Sequence, residues 1–163
     1  MIHVSDSVCI DAPAAEVWYW LAQLEAIALW SENVQTATCA PGRDAGVGAE
    51  RLCTLGGGIT LVETWTNWDE GRSFTYEGRG LPGVKIARNT WTVESHGPRQ
   101  TLLRTEASVQ LRAGRLGDLA APMVRWQSRR MGWRALAAFK HLVETGGAPM
   151  VAHALLDRPP ALC

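Results

Sequence analysis

The sequence predicts an α+β domain: an antiparallel sheet of about seven strands, with two short helices after the first strand and one long helix after the last. Three observations predict it. An alternating run containing Val8 and Ile10 leads into a helical segment opened by Pro13. Residues 34–112 then read as short alternating runs divided by Gly- and Pro-containing turns. From Leu116 the apolar period turns helical. The chain has 163 residues, and one of ~150 can bury ~70% of its unfolded surface in a single core.

Val8 and Ile10 alternate with polar neighbours, as in a half-buried strand. Pro13 ends that strand and suits the first turn of a helix, where its missing N–H costs no hydrogen bond. Val17, Leu21 and Leu24 follow at helical spacing, and Trp30 closes a second short helix. Residues 34–39 form a strand stopped by Pro41-Gly42. Residues 49–55 and 59–68 make a hairpin around Gly56-Gly-Gly58, whose glycines supply any positive φ the turn needs. Residues 73–79 follow the turn Asp69-Glu-Gly71, 86–95 follow Gly80-Leu-Pro-Gly83, and 101–112 follow His96-Gly-Pro98. Met123, Val124, Met131, Ala135, Ala138, Phe139 and Leu142 make the apolar stripe of the last helix, which stops before Gly146-Gly147. Pro122 marks a kink or the start of its straight portion. The domain is expected over residues 1–146, with 147–163 a tail that forms a short turn near 151–156 or is disordered.

Ile10, Ala12-Pro13, Val17-Trp18 and Trp30 stand in one order with Gly46-Val-Gly48, Glu63, Trp68-Asp-Glu-Gly-Arg72 and Leu116-Gly117. That series resembles the START-like, helix-grip (SRPBCC) superfamily of polyketide cyclase/dehydrase and lipid-transport type, over roughly residues 3–144. The resemblance implies a curved sheet wrapped around the C-terminal helix and a deep cavity for a hydrophobic small molecule. It also implies that the loops at 55–59 and 80–85 gate a portal. Carriers, receptors and enzymes share this fold, so function has to be argued from the site.

Acidic and basic residues number 16 each, so no strong field draws the chain to nucleic acid. The segment from Met1 to Asp6 lacks the charged and apolar regions of a signal peptide, and no apolar run approaches the ~20 residues needed to span a bilayer. The expectation is a cytoplasmic protein with a small hydrophobic ligand, no nucleic acid and no membrane span; a homodimer stays open. Cys9, Cys39, Cys53 and Cys163 share no Cys-x-x-Cys spacing and have no His at ligand spacing, so four reduced thiols are expected, with neither metal nor cofactor. Gly46-Val-Gly48 lacks the third glycine and following helix of a dinucleotide fingerprint. No nucleophile-elbow or His-Glu-x-x-His motif is present. Arg125, Arg129, Arg130 and Arg134 read as a solvated polar face.

Alternation over 59–68 puts Ile59, Leu61, Glu63 and Trp65 on the inner, apolar face. A three-residue loop at Gly56-Gly-Gly58 would pair Leu55 with Ile59, Cys53 with Leu61 and Arg51 with Glu63. Later strands would add Phe74 and Tyr76, then Ala87, Asn89, Trp91 and Val93, then Leu103, Thr105, Ala107, Val109 and Leu111. Each buried polar group left without a partner costs ~1–3 kcal/mol, so these groups must meet each other, ordered water or a ligand.

Arg51 and Glu63 therefore have two readings. They are an electrophile and a base for aldol cyclisation or dehydration, or a buried ion pair that fixes strand register. The resemblance bears on both: aromatase/cyclase members use a cavity arginine near their polyketide, which speaks for Arg51 in the first, while an acidic residue at this strand position recurs across members of unlike function, which favours the ion pair. Tyr76 and Asn89 can each bond a ligand oxygen, or else bond across the sheet and satisfy a bulge. Trp30, Trp65 and Trp91 are expected as cavity wall. The chain holds eight Trp against two Phe and two Tyr, and Trp suits an apolar wall that needs a polar handle. Met123, Met131 and Phe139 are expected on the helix side of the cavity, where flexible Met suits varied ligands. Three functions are open: a ligand-binding module, a polyketide cyclase/aromatase-type enzyme, and a protein-interaction module of the chaperone-activator type.

Overall fold

Alternating apolar strands joined by tight turns produce a sheet of seven antiparallel strands in the order β1-β7-β6-β5-β4-β3-β2. The computed structural model describes residues 1–112 and 114–147, with side chains of the last helix from residue 122 onward. The elements are β1 (Ile2–Ile10), α1 (Ala14–Ala22), α2 (Ile27–Trp30), β2 (Val34–Cys39), β3 (Glu50–Leu55), β4 (Thr60–Asp69), β5 (Ser73–Arg79), β6 (Val84–Gly97), β7 (Gln100–Leu111) and α3 (Gly114–Thr145). This is the expected α+β helix-grip architecture. The turn expected at 151–156 lies outside the described residues.

Most strands fall within two residues of where the alternation puts them. Differences arise where tertiary contacts act. Leu24 leaves the α1 stripe because Gln23 turns the chain at φ −78°, ψ 86°, and a single 3-10 turn, Leu24–Ala26, follows. Leu24 is buried all the same. β6 extends beyond the expected 86–95 at both ends because β7 pairs with it from Val84 to Gly97. The helix α3 runs through Pro122 rather than starting there.

The C-terminal half of α3 buries Leu136, Ala138, Phe139, Leu142 and Val143. Full burial of each large apolar side chain contributes about 1.5–3 kcal/mol. This half packs with Val8, Ile10, Leu103 and the short helices into one core. α3 lies mainly along β1, not across the middle of the sheet. Gly132 makes the close approach feasible, because a Cβ there would stand 3.1 Å from the Asp6 Oδ2 atom. The Trp133 indole N–H then donates to Asp6 Oδ1 at 2.5 Å.

One expectation about the cysteines is corrected. Cys39 and Cys53 are free, but Cys9 is disulfide-bonded. Spacing along the chain carries no information about which thiols a fold brings together. Among the described residues, no helix is long and apolar enough to cross a membrane, and no cluster of His, Cys, Asp and Glu could hold a metal ion.

Candidate functional site

Register makes the central pair. The Gly56–Gly58 turn places Arg51 directly opposite Glu63, and Cys53 opposite Leu61, as the loop length implied. Arg51 Nε donates to Glu63 Oε2 at 2.7 Å, and a second guanidinium nitrogen lies 2.6 Å from the same oxygen. A third donates to the Leu24 carbonyl at 2.5 Å, tying the short helices to the sheet. Both residues are only 4% exposed. The guanidinium carbon stands 5.0 Å from the centroid of the Trp65 ring and 5.8 Å from that of Tyr76. Its charge is therefore met by a carboxylate, a carbonyl and two aromatic faces.

The pair polarises its neighbours. Burial, with the Glu63 charge beside it, pushes the Cys53 thiol up to about 12. Burial also raises the Tyr76 phenol, and the nearby Glu63 adds to the shift while Arg51 offsets part of it. Neither group is a proton donor or acceptor near neutral pH.

Around this pair the sheet carries an aromatic wall. Trp65 lies 4.9 Å from Tyr76 and 5.8 Å from Phe74, centroid to centroid. Trp30 on α2 meets Phe139 of α3 at 5.3 Å and Trp91 of β6 at 6.0 Å. Such ring contacts add ~0.5–1.5 kcal/mol each to the area they bury. Trp65 is 1% exposed, yet its indole N–H has no hydrogen-bond partner. An unmet buried donor of this kind is rare and calls for an explanation.

Burial of the inner face runs in a gradient. Phe74, Trp91, Val93 and Leu103 are sealed beneath α1 and α3. Toward the β3–β4 and β5–β6 turns, the inner positions Leu61, Ala87, Asn89, Ala107 and Val109 are only half-buried. Gly80, at the start of the β5–β6 turn, lies beside the Thr60 backbone of the neighbouring strand β4. A Cβ at Gly80, whose φ is +114°, would collide with the Thr60 carbonyl oxygen at 2.2 Å. Only glycine fits there. A separate groove of 240 Å³ opens between α2 and α3, with Trp30 and Ala138 among its lining residues and Glu32 bonded to Arg134 at 2.7 Å on its wall.

The expected site residues thus divide. Arg51, Glu63, Trp65 and Tyr76 form one buried cluster, and Trp30, Trp91 and Phe139 a second beside it. Asn89 pairs with Tyr76 across β5 and β6 and lies on the half-covered part of the face. Met123 is 71% exposed and does not face the interior. It precedes the buried Phe139 by sixteen residues, about 160° around a helix of 3.6 residues per turn. Met131 is 43% exposed and lines the groove at α2 instead of the sheet side.

The sequence reading missed Trp68. Strict alternation from Trp65 turns it outward, but a bulge between Trp65 and Asn67 flips the phase and sets Trp68 opposite Phe74. Its ring stacks on Phe74 at 5.4 Å and meets Trp18 of α1 at 5.5 Å. Glu70 accepts from both indoles, at 2.8 Å from Trp18 and 2.6 Å from Trp68. The available signal was two tryptophans three apart on one strand, which cannot share an apolar face without a bulge. Asp6 was missed too, as an inner-face carboxylate that reads as an ordinary polar residue in sequence.

The model of one protein family, polyketide cyclase/dehydrase and lipid transport, matches residues 1–144. No curated protein matches the chain. Among solved structures, the Zhui aromatase/cyclase from Streptomyces sp. R1128 is similar at 20% identity and a TM-score of 0.74, covering 90% of this chain and 98% of that one. A START superfamily protein from Mycobacterium smegmatis is 15% identical with a TM-score of 0.73, over 87% and 97% of the two chains. A protein from Thermobifida fusca is 25% identical with a TM-score of 0.67, over 88% and 96%.

Proposed function

Since the chain belongs to the polyketide cyclase/dehydrase and lipid transport family, we propose that it binds a hydrophobic small molecule, aromatic, polyketide-like or lipid, against the inner face of its sheet. The observation that carries this reading is the gradient of burial. An apolar face is closed at the α1 end, while Leu61, Ala87, Asn89, Ala107 and Val109 are left half covered at the other. Such a surface is stable when something apolar completes it. Asn89 is the reachable hydrogen-bonding group on that part of the face, and the unmet Trp65 N–H supplies a donor deeper in.

Geometry favours binding over catalysis. A cyclase or dehydratase role for Arg51 and Glu63 requires one of them to reach the substrate, and each is engaged by the other beneath Trp65 and Tyr76. A paired charge in an apolar wall is what a carrier or receptor needs. The test is native mass spectrometry with a thermal-shift panel of polyketides, sterols and fatty acids, on the wild type and on Ala107→Trp, which fills the half-covered face. A ligand that raises the Tm of the wild type but not of Ala107→Trp supports the reading. No shift from any class, or the same shift in both proteins, overturns it.

A further inference from the structure

Asn89, Tyr76 and Trp65 form one row across β6, β5 and β4, since Asn89 pairs with Tyr76 and Tyr76 with Trp65. Polar groups on a covered face are normally bonded to something. Two in this row are not. The Trp65 indole N–H is closed off from solvent and has no hydrogen-bond partner. The half-buried Asn89 carboxamide makes no side-chain hydrogen bond among the described residues. An indole N–H can only donate, and a carboxamide donates through its NH2 group. The one kind of group that meets both is an acceptor oxygen.

The charges beside the row are already matched. Arg51 and Glu63, in the next row toward the half-covered end, bond to each other. Asp6, in the next row the other way through Thr105 and Trp91, accepts from Trp133 and lies near Arg129. A carboxylate or phosphate laid on this row would lose its water without gaining a counter-charge. We propose that the ligand of this face is uncharged and presents a carbonyl oxygen to the row, where the N–H donors of Asn89 and Trp65 select it. Asn89 meets it on the half-covered part of the face, and Trp65 is the donor deeper in. The face then takes ketones, esters and enones, and it discriminates against free fatty acids and plain hydrocarbons. This inference rests on the reading of the sheet as a binding surface and adds the chemistry of what it holds.

The experiment is equilibrium dialysis with three bicyclic probes of similar shape: 2-acetylnaphthalene, 2-ethylnaphthalene and 2-naphthoate. Without a hydrogen bond from the protein the hydrocarbon binds best, because it gains most by leaving water. The expected order instead puts the ketone ahead of both others by about tenfold or more. Asn89→Leu and Trp65→Phe each remove one N–H donor, the second while keeping an aromatic ring in the wall. The preference for the ketone should fall to about threefold or less in at least one of them. Thermal unfolding checks that each variant is folded. Should either substitution unfold the protein, Asn89→Asp at pH 8, which keeps the shape of the side chain and lacks the donor, decides the matter. Equal binding of ketone and hydrocarbon, tightest binding of the naphthoate, or a preference kept in every folded variant overturns the proposal and leaves the binding surface standing. If none of the three probes binds, the reading of the sheet as a binding surface fails, and this inference fails with it.

Discussion

Arg51 and Glu63 face each other across β3 and β4 with both side chains out of solvent and the guanidinium bonded to one carboxylate oxygen through two nitrogens. A pair this deep is costly to desolvate, and it persists because each charge cancels the other. Removing one partner therefore strands the other. Glu63→Leu and Arg51→Met should each lower stability by about 3–5 kcal/mol. The double variant should be less damaging than either single one, losing mainly the bond to the Leu24 carbonyl, worth about 1–3 kcal/mol. Chemical denaturation of the four proteins measures this as a double-mutant cycle.

Glu70 clips α1 to the β4–β5 turn by accepting both the Trp68 and the Trp18 indole N–H. Those two bonds hold its carboxyl below the ordinary value of 4.5, the Trp68 bond contributing most. A depressed carboxylate adds stability above its unfolded value and loses it as pH falls through the folded one. The Tm of the wild type should thus exceed that of Glu70→Gln at neutral pH, and the gap should close below pH 4.5. Thermal unfolding across an acid series checks the sign.

Asp6 has the opposite sign. Burial against α3 raises its carboxyl above the ordinary 3.8, and the Trp133 bond and the Arg129 charge offset only part of that. The folded protein then takes up a proton before the unfolded chain does, so stability from this group rises as pH falls through the folded value. Asp6→Asn keeps an acceptor for Trp133 and removes the desolvated charge. It should be at least as stable as the wild type at pH 7, with any advantage gone once pH is below 3.8. A destabilised Asp6→Asn at pH 7 would contradict this.

Cys53 lies fully buried, with its thiol 3.5 Å from Glu63 and raised to about 12. A thiol held protonated is a poor nucleophile. In the native protein Cys53 should resist a thiol reagent at pH 8 and should react only after denaturation. Peptide mapping of labelled native and unfolded protein distinguishes it from Cys39, which is half-buried.

Much of the architecture was legible because it follows from local rules. Alternation told inner from outer residues on β5, β6 and β7 and on β4 as far as Trp65, and the count of glycines between residues 55 and 59 set the Arg51–Glu63 register. Trp68 was not legible, since one bulged residue reverses the face of everything after it. Met123 and Met131 were misplaced because an apolar stripe on a long helix does not say which part of it meets the core. Only the C-terminal half of α3 does so, and the stripe loses its partner toward the other end.

By itself, the order of strands, turns and helices determined the α+β class and the pairing of one ionic couple, because hydrogen-bonded hairpins and side-chain periodicity are local properties; the helix-grip arrangement followed from the family resemblance of the motif series. Tertiary structure alone decided how deeply that couple lies, that Trp18 and Trp68 share one carboxylate, and that Trp126 faces water. Those outcomes depend on how distant segments approach, and no spacing along the chain encodes a distance in space.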